Sequence, residues 1–205
     1  MRKIPTLFVR DKEYPIRVSE EVTPGCEWFL KGEGVPTRKY DGTCCMVRDT
    51  KLYKRREVKK PKSEHEAQSF ENKLIAMEFE QVDDLPNKVI GWVPVGDGPE
   101  DKWHREAIGR FLGRGQSADG TYELVCPRVQ GGAESSFVMH DLVKHGAVLY
   151  GTEDLTTMNL TTFSEIRHSL KSMDAEGIVW HHADGRMAKI KRRDFGFPWP
   201  IKEDA

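Results

Sequence analysis

Short runs of strand-forming residues, separated by polar turns, mark the first third of the chain. The runs 44–47 and 52–58 flank the polar segment Arg48-Asp49-Thr50, a pattern that predicts a β-hairpin. The pair Asp41-Gly42 directly before them predicts a turn. Lys39 is therefore expected at a strand edge or in a loop.

Two later segments carry apolar residues at helical spacing. Apolar residues at 103, 107, 108, 111 and 112, followed by Gly113, predict an amphipathic helix over residues 99–112. The segment Thr162-Phe163-Ser164-Glu165 has the capping-box pattern, and apolar residues at 163, 166, 170 and 173 continue one helical face. This pattern predicts a second helix that ends near Met173.

The C-terminal part of the chain predicts another hairpin. Strand-like runs at 178–182 and 187–191 flank the turn Ala183-Asp184-Gly185-Arg186, and Asp-Gly between such runs is a strong hairpin signal. Because side chains alternate along a strand, Lys189 and Lys191 are expected on the same face. Further strands are predicted at 121–126 and 147–150, and mobile loops at 61–66 and 113–120.

These elements together indicate an α+β fold. Antiparallel hairpins dominate the predicted strands, and the two predicted helices are expected to flank the sheets. At 205 residues and 23.5 kDa, the chain is long enough to bury one good core. A single compact domain over residues 1–205 is therefore predicted.

Charge in this sequence is segregated rather than in excess. Charged residues make up 32% of the chain, yet the formal net charge is −1. Seven basic residues and one acidic residue lie between positions 51 and 62. Such a run alone is typical of a solvated hairpin and loop, but its closeness in sequence to Lys39, the candidate nucleophile, favours contact with nucleic-acid phosphates. The residues predicted to make this contact are Lys54, Arg55, Arg56, Lys59 and Lys60.

The cysteines and the apolar segments indicate the compartment. Four cysteines show no CxxC pair and no metal-ligand spacing with histidine, which favours a reducing compartment and argues against zinc. The N-terminus lacks the apolar region of a signal peptide, and no stretch is apolar enough for a membrane helix. A cytoplasmic protein without a membrane partner is expected.

Lysines and carboxylates form the candidate chemical site. A lysine becomes nucleophilic only when its ammonium loses a proton, which burial or neighbouring positive charge promotes. Lys189, Lys191 and Arg55 are suited to supply that charge and to pair with the phosphates of a nucleotide triphosphate. Carboxylates at turns and strand ends are suitable ligands for Mg²⁺. The three predicted here are Asp41, Glu123 and Glu176.

Four short motifs resemble those of the covalent nucleotidyltransferases, the superfamily of ATP-dependent DNA and RNA ligases and mRNA capping enzymes. Lys39-Tyr40-Asp41-Gly42 resembles the KxDG motif I, and Tyr122-Glu123-Leu124 resembles motif III. Glu176-Gly177-Ile178-Val179 resembles motif IV, and Lys189-Ile190-Lys191 resembles motif V, in the order and roughly the spacing of the family.

Two further segments resemble one group within this superfamily. Thr43-Cys44-Cys45 and Leu52-Tyr53-Lys54-Arg55 are most similar to 5′-to-3′ RNA ligases of the vertebrate and viral type. The resemblance extends from about Thr37 to Phe195, most of the chain. It implies the compact adenylyltransferase fold. Only residues 196–205 follow Phe195, so no OB-fold domain is expected.

The resemblance also implies roles for individual residues. Lys39 would form a lysyl-AMP phosphoramidate, and Lys189 and Lys191 would contact the α-phosphate and the leaving group. These three lysines form the implied catalytic set. The adenine ring is expected to stack on an apolar or aromatic side chain, for which Val148 and Tyr150 are the predicted residues.

The remaining implied roles concern the nucleotide and its metal. Asp41, Glu123 and Glu176 would organise the ribose and Mg²⁺, with Mn²⁺ as a substitute. Arg38 would bind the nucleotide, and Arg55 would touch the ribose or the 5′-phosphate of the polynucleotide. The choice of ATP over GTP rests on the resemblance alone.

The resemblance therefore implies an ATP-dependent RNA ligase that joins 5′-phosphate and 3′-hydroxyl ends, with RNA repair as its expected use and a monomer as its expected state. Two alternatives stay open. One is a DNA ligase or guanylyltransferase core that lacks its OB domain. The other is a nucleic-acid-binding module without catalysis.

Overall fold

The computed structural model describes residues 2–116, 118–147, 155 and 160–201. The chain divides into two compact units. The first comprises Met1–Lys3 and Gly42–His145, and the second comprises Ile4–Asp41 and Gly146–Ala205. Strands in both units pair antiparallel and helices accompany them, which confirms the predicted α+β class. A single domain over residues 1–205 stays a prediction.

A six-stranded antiparallel sheet organises the first unit, with strand order β6-β7-β5-β4-β8-β9. The strands and helices of this unit are β4 (Thr43–Arg48), β5 (Lys51–Lys59), α1 (Ala67–Ala76), β6 (Glu80–Leu85), β7 (Lys88–Pro94), α2 (Lys102–Gly113), β8 (Gly120–Val125) and β9 (Asp141–Lys144). Short 3-10 helices lie at Glu64–Glu66, Pro99–Asp101 and Gln130–Gly132.

The core of the first unit lies on one face of this sheet. Alternate residues of the central strands, among them Cys45 and Leu124, are fully buried. Helix α2 covers them with Ala107 and Phe111, and the Phe111 ring meets Tyr122 edge-on at 5.2 Å between ring centroids. Residues 44 and 123 alternate with these core positions, so Cys44 and Glu123 lie on the opposite face of the sheet.

The described residues of the second unit form two smaller antiparallel sheets and one α-helix. Its elements are β1 (Phe8–Arg10), β2 (Val18–Val22), β3 (Val35–Lys39), α3 (Phe163–Ser172), β10 (Gly177–His181) and β11 (Met187–Lys191). Strands β1 and β2 pair with each other, and the other three form a sheet in the order β11-β10-β3. Short 3-10 helices lie at Glu27–Lys31 and Arg192–Phe195.

One face of the β11-β10-β3 sheet packs into the core of the second unit. Ile178, Trp180 and Ile190 supply that face and are almost fully buried. Alternation places the lysines of β3 and β11 on the other face. Helix α3 begins with the predicted capping box: the Thr162 hydroxyl accepts from the Glu165 amide at 3.2 Å, and the Glu165 carboxylate accepts from the Thr162 amide at 3.0 Å.

Most predicted elements are confirmed within one to three residues. Both hairpins, both helices and the strand near 121–126 are present. Several elements were not predicted, namely β1, β2, β3, β6, β7, β9 and α1. Of the strand predicted at 147–150, residues 148–150 lie outside the described part. In the part of the chain that the structure describes, no helix is both long and apolar enough to cross a membrane.

Candidate active site

The second unit brings two predicted lysines to one row of its three-stranded sheet. Gly177 of the central strand β10 is paired with Lys39 on one side and with Lys191 on the other. The next row on the same face contains Thr37, Val179 and Lys189. Motifs I, IV and V of the sequence therefore meet at the start of β10, although more than a hundred residues separate motif I from motif IV.

The lack of a side chain at Gly177 allows β11 to lie close to β10. A Cβ atom at this position would lie 2.1 Å from the carbonyl oxygen of Ile190 and 2.9 Å from the Cα of Lys191. Both contacts are too short for any side chain. The glycine of the EGIV motif is therefore explained by the close approach of β11 to β10.

Glu176 is the centre of the charged cluster. Its side chain is 1% exposed, and its two carboxylate oxygens accept hydrogen bonds from the ammonium groups of Lys39 and Lys191, one each. Arg193 adds a third cation 3.3 Å from the oxygen that Lys191 contacts. Lys39 also donates to the Tyr40 carbonyl at 3.1 Å. A buried carboxylate thus fixes the predicted nucleophile in place.

The charge of Glu176 is maintained by these neighbours. Burial acts to raise its pKa, but the positive charges and hydrogen bonds of Lys39 and Lys191 outweigh burial and hold the pKa below its usual range. The carboxylate is therefore ionised at neutral pH. Because Lys39 and Lys191 share this one buried carboxylate, removal of the Glu176 charge would leave both ammonium groups without it.

For Asp41, the groups and burial that raise the pKa outweigh those that lower it. Burial and the negative charge of Glu176 raise the pKa of Asp41, and the indole N–H of Trp199, which donates to its Oδ2 at 3.0 Å, only partly offsets them. The carboxylates of motifs I and IV are thus close enough to influence each other. Trp199 was not predicted as a site residue, and no sequence motif marked it.

The two other predicted basic residues of this unit lie on opposite faces of the β11-β10-β3 sheet: Lys189 shares the face of Lys39 and Lys191, whereas Arg38, paired with Ile178, is on the other face. Lys189 lies opposite Val179 on β11, and its backbone accepts from the Leu7 amide at 2.7 Å and donates to the Pro5 carbonyl at 3.0 Å. Arg38 precedes Lys39 on β3, and its guanidinium lies over the Tyr40 ring, 5.0 Å from the ring centroid. Their predicted contacts with a nucleotide stay predictions.

Glu123 of motif III belongs to the first unit and lies within β8, not at a strand end as expected. Its Oε1 accepts from the amide of Gly42 at 3.2 Å, and its Oε2 lies 2.8 Å from Nε2 of His145. Gly42 needs the absence of a side chain here, because a Cβ would lie 2.2 Å from the Leu124 carbonyl oxygen. The last residue of the KxDG motif therefore packs against the motif III strand.

Cys44 and His145 join Glu123 in a cluster that the sequence did not predict. One ligand atom from each residue, sulfur, nitrogen and oxygen, lies within 4.8 Å of the other two, and all three side chains are partly exposed. His145 follows β9, far from Cys44 in sequence. Cysteine spacing therefore gave no signal, and only the pairing of the strands brings these residues together.

The basic residues predicted to bind RNA, on β5 and at Lys60 directly after it, differ in exposure. Arg56 and Lys59 are exposed and have the access that RNA contact requires. The Arg55 side chain is 18% exposed and binds Glu57 at 3.0 Å, and Lys60 is partly exposed and pairs with Asp84.

Lys54 differs from the others in its surroundings. Its side chain is buried, and its ammonium donates to both oxygens of Asp101 at 2.6 and 2.5 Å. Burial acts to raise the pKa of Asp101, but the bond from Lys54 outweighs it and lowers the pKa. An ammonium held in this way cannot reach RNA without breaking a buried ion pair, which argues against RNA contact by Lys54.

The predicted magnesium ligands fit the role unequally. In Glu176, both oxygens already accept from protein cations, so Glu176 fits the role of positioning Lys39 better than that of a direct metal ligand. In Asp41, one oxygen already accepts a hydrogen bond from the Trp199 indole N–H. In Glu123, both oxygens likewise have partners, the Gly42 amide and His145, and its neighbours Cys44 and His145 are donors that suit a transition metal better than magnesium.

The chain is similar to known RNA ligases. The sequence profile of the RNA ligase 1 family matches residues 118–205. RNA ligase 1 of Pongo abelii is 25% identical in an alignment 271 positions long, gaps included, that covers 98% of this chain and 83% of the relative. RNA ligase 1 of Mus musculus is 25% identical in an alignment 228 positions long, gaps included, that covers 82% of this chain and 69% of the relative.

Proposed function

Because this chain is similar to the RNA ligase 1 proteins, we propose that it is an ATP-dependent RNA ligase that works through a covalent Lys39–AMP intermediate. The single observation that carries the mechanism is the buried Glu176 carboxylate, which holds Lys39 and Lys191 at the start of β10. The expected use is the repair of cleaved RNA.

The first step is adenylation of the lysine. Nζ of Lys39, after losing a proton, attacks the α-phosphorus of ATP; the N–P bond forms as the bond to pyrophosphate breaks. Glu176 holds Lys39 before reaction and is the nearest group to receive its proton. Lys191, bound to the other Glu176 oxygen, is placed to offset the charge on the α-phosphate and the departing pyrophosphate.

Two transfers complete the reaction. An oxygen of the RNA 5′-phosphate attacks the AMP phosphorus, which breaks the N–P bond and frees Lys39. The 3′-hydroxyl of the second end then attacks the 5′-phosphate, and AMP leaves. Arg56 and Lys59, exposed on β5, are proposed to bind RNA phosphates, as Arg55 and Lys60 are by prediction. The nucleotide contacts predicted for Glu123 and Arg38 belong to the same proposal.

Mg²⁺ is proposed to act mainly through the triphosphate, since Mg²⁺ in such enzymes is commonly bound by substrate phosphates and one or two carboxylates. When bound, it would neutralise charge on the phosphates, and Mn²⁺ is expected to replace it. Asp41 and Glu123 are the carboxylates proposed to assist. Glu176 is assigned to the lysines instead, because its oxygens already accept from Lys39 and Lys191.

The test is the intact mass of the protein before and after incubation with ATP and Mg²⁺. Wild type is expected to gain one AMP, Lys39→Ala none, and the exposed-lysine control Lys12→Ala the same as wild type. AMP retained on Lys39→Ala would reject Lys39 as nucleophile. Labelling by GTP alone would favour a capping guanylyltransferase, and no labelling by either nucleotide would favour the binding module.

A second assay identifies the polynucleotide. The adenylated protein is mixed with 5′-phosphorylated RNA or with a nicked DNA duplex of the same sequence, and the sealed product is measured. Preferential sealing of RNA supports the proposal. Preferential sealing of the DNA nick would replace it with a DNA ligase.

A further inference from the structure

Three side chains of the first unit form a cluster with the ligand types of a transition-metal site. We propose that Cys44, Glu123 and His145 bind a zinc-class divalent ion with sulfur, oxygen and nitrogen ligands. The proposed ion is distinct in chemistry from the Mg²⁺ of the nucleotide, because a thiolate and an imidazole are poor ligands for magnesium and good ligands for zinc.

The sheet itself places these ligands. Cys44 of β4 lies directly opposite Glu123 of β8, and residues directly opposite in an antiparallel pair have Cβ atoms about 5 Å apart. On the other side of β8, the amide of His145 donates to the Thr121 carbonyl at 3.0 Å, which extends the β9 pairing. The neighbours of Cys44 and Glu123 in sequence, Cys45 and Leu124, point into the core. The cluster therefore stands on a rigid part of the fold.

The distances are close to those a metal requires. A zinc ion about 2.0–2.3 Å from each ligand holds neighbouring ligand atoms roughly 3.3–3.8 Å apart. In this cluster, His145 and Glu123 are 2.8 Å apart, and all three ligand atoms lie within 4.8 Å of one another. Small side-chain rotations therefore suffice to enclose an ion. Partial exposure of all three residues leaves a fourth position for water or another ligand.

His145 has one ring nitrogen to spare. Its Nε2 contacts Glu123, whereas its Nδ1 is buried without a hydrogen-bond partner among the described residues. No competing protein group therefore fixes the imidazole on that side. Metal binding would replace the Glu123–His145 hydrogen bond with two metal–ligand bonds, and the Cys44 thiol would release its proton to solvent as the sulfur–metal bond forms.

Metal binding at this cluster has an expected effect on activity, and that expectation rests on the proposed function. Glu123 belongs to motif III, and a zinc-class ion bound to its carboxylate would withdraw that carboxylate from the nucleotide. Such an ion is therefore expected to inhibit adenylation of Lys39, even with Mg²⁺ in excess. Removing Cys44 or His145 as a ligand should relieve this inhibition.

The first experiment measures binding without activity. Reduced full-length protein is titrated with Co²⁺, whose bond to a thiolate gives a charge-transfer absorption band, and Zn²⁺ is then added. Wild type is expected to bind one Co²⁺ with this band and to lose the band to Zn²⁺. Cys44→Ser should lose the band and His145→Gln should weaken binding, while Cys126→Ala, which removes a thiol elsewhere in the same unit, should keep both. A band that persists in Cys44→Ser, or no band in wild type, would overturn the site.

The second experiment needs no variant. Wild-type protein is alkylated with and without Zn²⁺, and each modified cysteine is identified by mass spectrometry. Protection of Cys44 by Zn²⁺ is expected, and equal alkylation in both samples would contradict the site. The inhibition is tested separately, by measuring adenylation with and without Zn²⁺. If Zn²⁺ binds at Cys44 but adenylation is unchanged, the predicted inhibition is wrong and the metal site stands. If adenylation is absent without any added metal other than Mg²⁺, the proposed ligase function is wrong, and the metal site is unaffected.

Discussion

The carboxylate of Glu176 is hydrogen-bonded to the ammonium group of Lys39, the two residues being brought together by the pairing of β3 with β10. Glu176 is 1% exposed, so this contact places a negative charge inside the protein directly against the predicted nucleophile. Lys191 contacts the second oxygen of the same carboxylate. One buried acid therefore positions both lysines on which the proposed adenylation depends.

Replacement of Glu176 by glutamine tests this arrangement. Glu176→Gln keeps the shape but removes the charge that Lys39, Lys191 and Arg193 share. Since hydrogen bonds to charged groups are worth about 1.5–3 kcal/mol, the free energy of unfolding at neutral pH should fall by about 2 kcal/mol. The rate of AMP attachment should fall by about 10²-fold, because the nucleophile loses its fixed position. Denaturant unfolding and intact-mass time courses measure the two effects.

The same variant has a defined dependence on pH. The pKa of Glu176 lies below its ordinary value of 4.5, so its stabilising effect is fully present above that value and is lost as the pH falls through the lowered pKa. The stability difference between wild type and Glu176→Gln should therefore shrink in acid. Glu71→Gln, at an exposed position of α1, is the matched control and should show no difference. A difference that grows in acid would contradict the ionised state of Glu176.

Asp41 should respond in the opposite direction. Its pKa is raised above the ordinary value of 3.8, so its contribution to stability is present below that value and is lost as the pH rises through the raised pKa. At pH 7 its buried charge is thus unfavourable. Asp41→Asn, which keeps an oxygen for the Trp199 indole N–H, should stabilise the protein by about 1 kcal/mol at pH 7 while adenylation falls. Thermal unfolding at pH 7 and pH 3.5 checks this, and a gain that persists at the lower pH would refute it.

The convergence of motifs in the second unit was predictable only in part. The order of the motifs indicated that Lys39, Glu176 and Lys191 act together, and the structure places them in one cluster. The strand Val35–Lys39 was not predicted, because it contains a proline and lacks an apolar run. Its pairing with β10, far along the chain, determines its conformation, and local sequence carries no information on such pairing.

Other features had only a weak local signal. Helix α1 carries Ala67, Phe70 and Leu74 at helical spacing, but these side chains are only partly buried, and this short stripe was not recognised as a helix. Strand β6 is acidic and lies at the edge of its sheet, where charged residues are common. Lys54 looked like its basic neighbours in sequence. Only the position of Asp101, at the start of the segment leading into α2, shows that Lys54 is buried.

Gly177→Ala should disturb the row that contains both lysines. The new Cβ would lie 2.1 Å from the Ile190 carbonyl oxygen, so β11 must move away from β10. Overpacking of this kind costs about 1–3 kcal/mol, and adenylation should fall because Lys191 moves with its strand. The control is Gly109→Ala in α2, where a Cβ meets nothing within 4 Å and helix propensity favours alanine by about 1 kcal/mol. Calorimetry measures the stability of both variants. A Gly177→Ala variant as stable as wild type would contradict the close packing of β11 against β10.

The basic strand β5 allows the buried Lys54 to be distinguished by experiment from the exposed residues proposed to bind RNA. Lys54→Met leaves the buried Asp101 carboxylate unpaired and should destabilise the protein by about 3 kcal/mol, whereas the double variant Lys54→Met/Asp101→Leu should recover much of that loss. Neither change should alter how RNA binding depends on salt, provided that the protein is folded.

Arg56→Ala/Lys59→Ala should show the reverse behaviour. Both side chains are exposed, so stability should change little. For single-stranded RNA, the slope of log binding constant against log salt concentration is about −0.7 per phosphate contact, so loss of two contacts should reduce its magnitude by about 1.4. Fluorescence anisotropy with a short 5′-phosphorylated RNA at several salt concentrations measures the slope. An unchanged slope in Arg56→Ala/Lys59→Ala would mean that RNA contacts the protein elsewhere. A reduced slope in folded Lys54→Met would indicate that Lys54 contacts RNA after all.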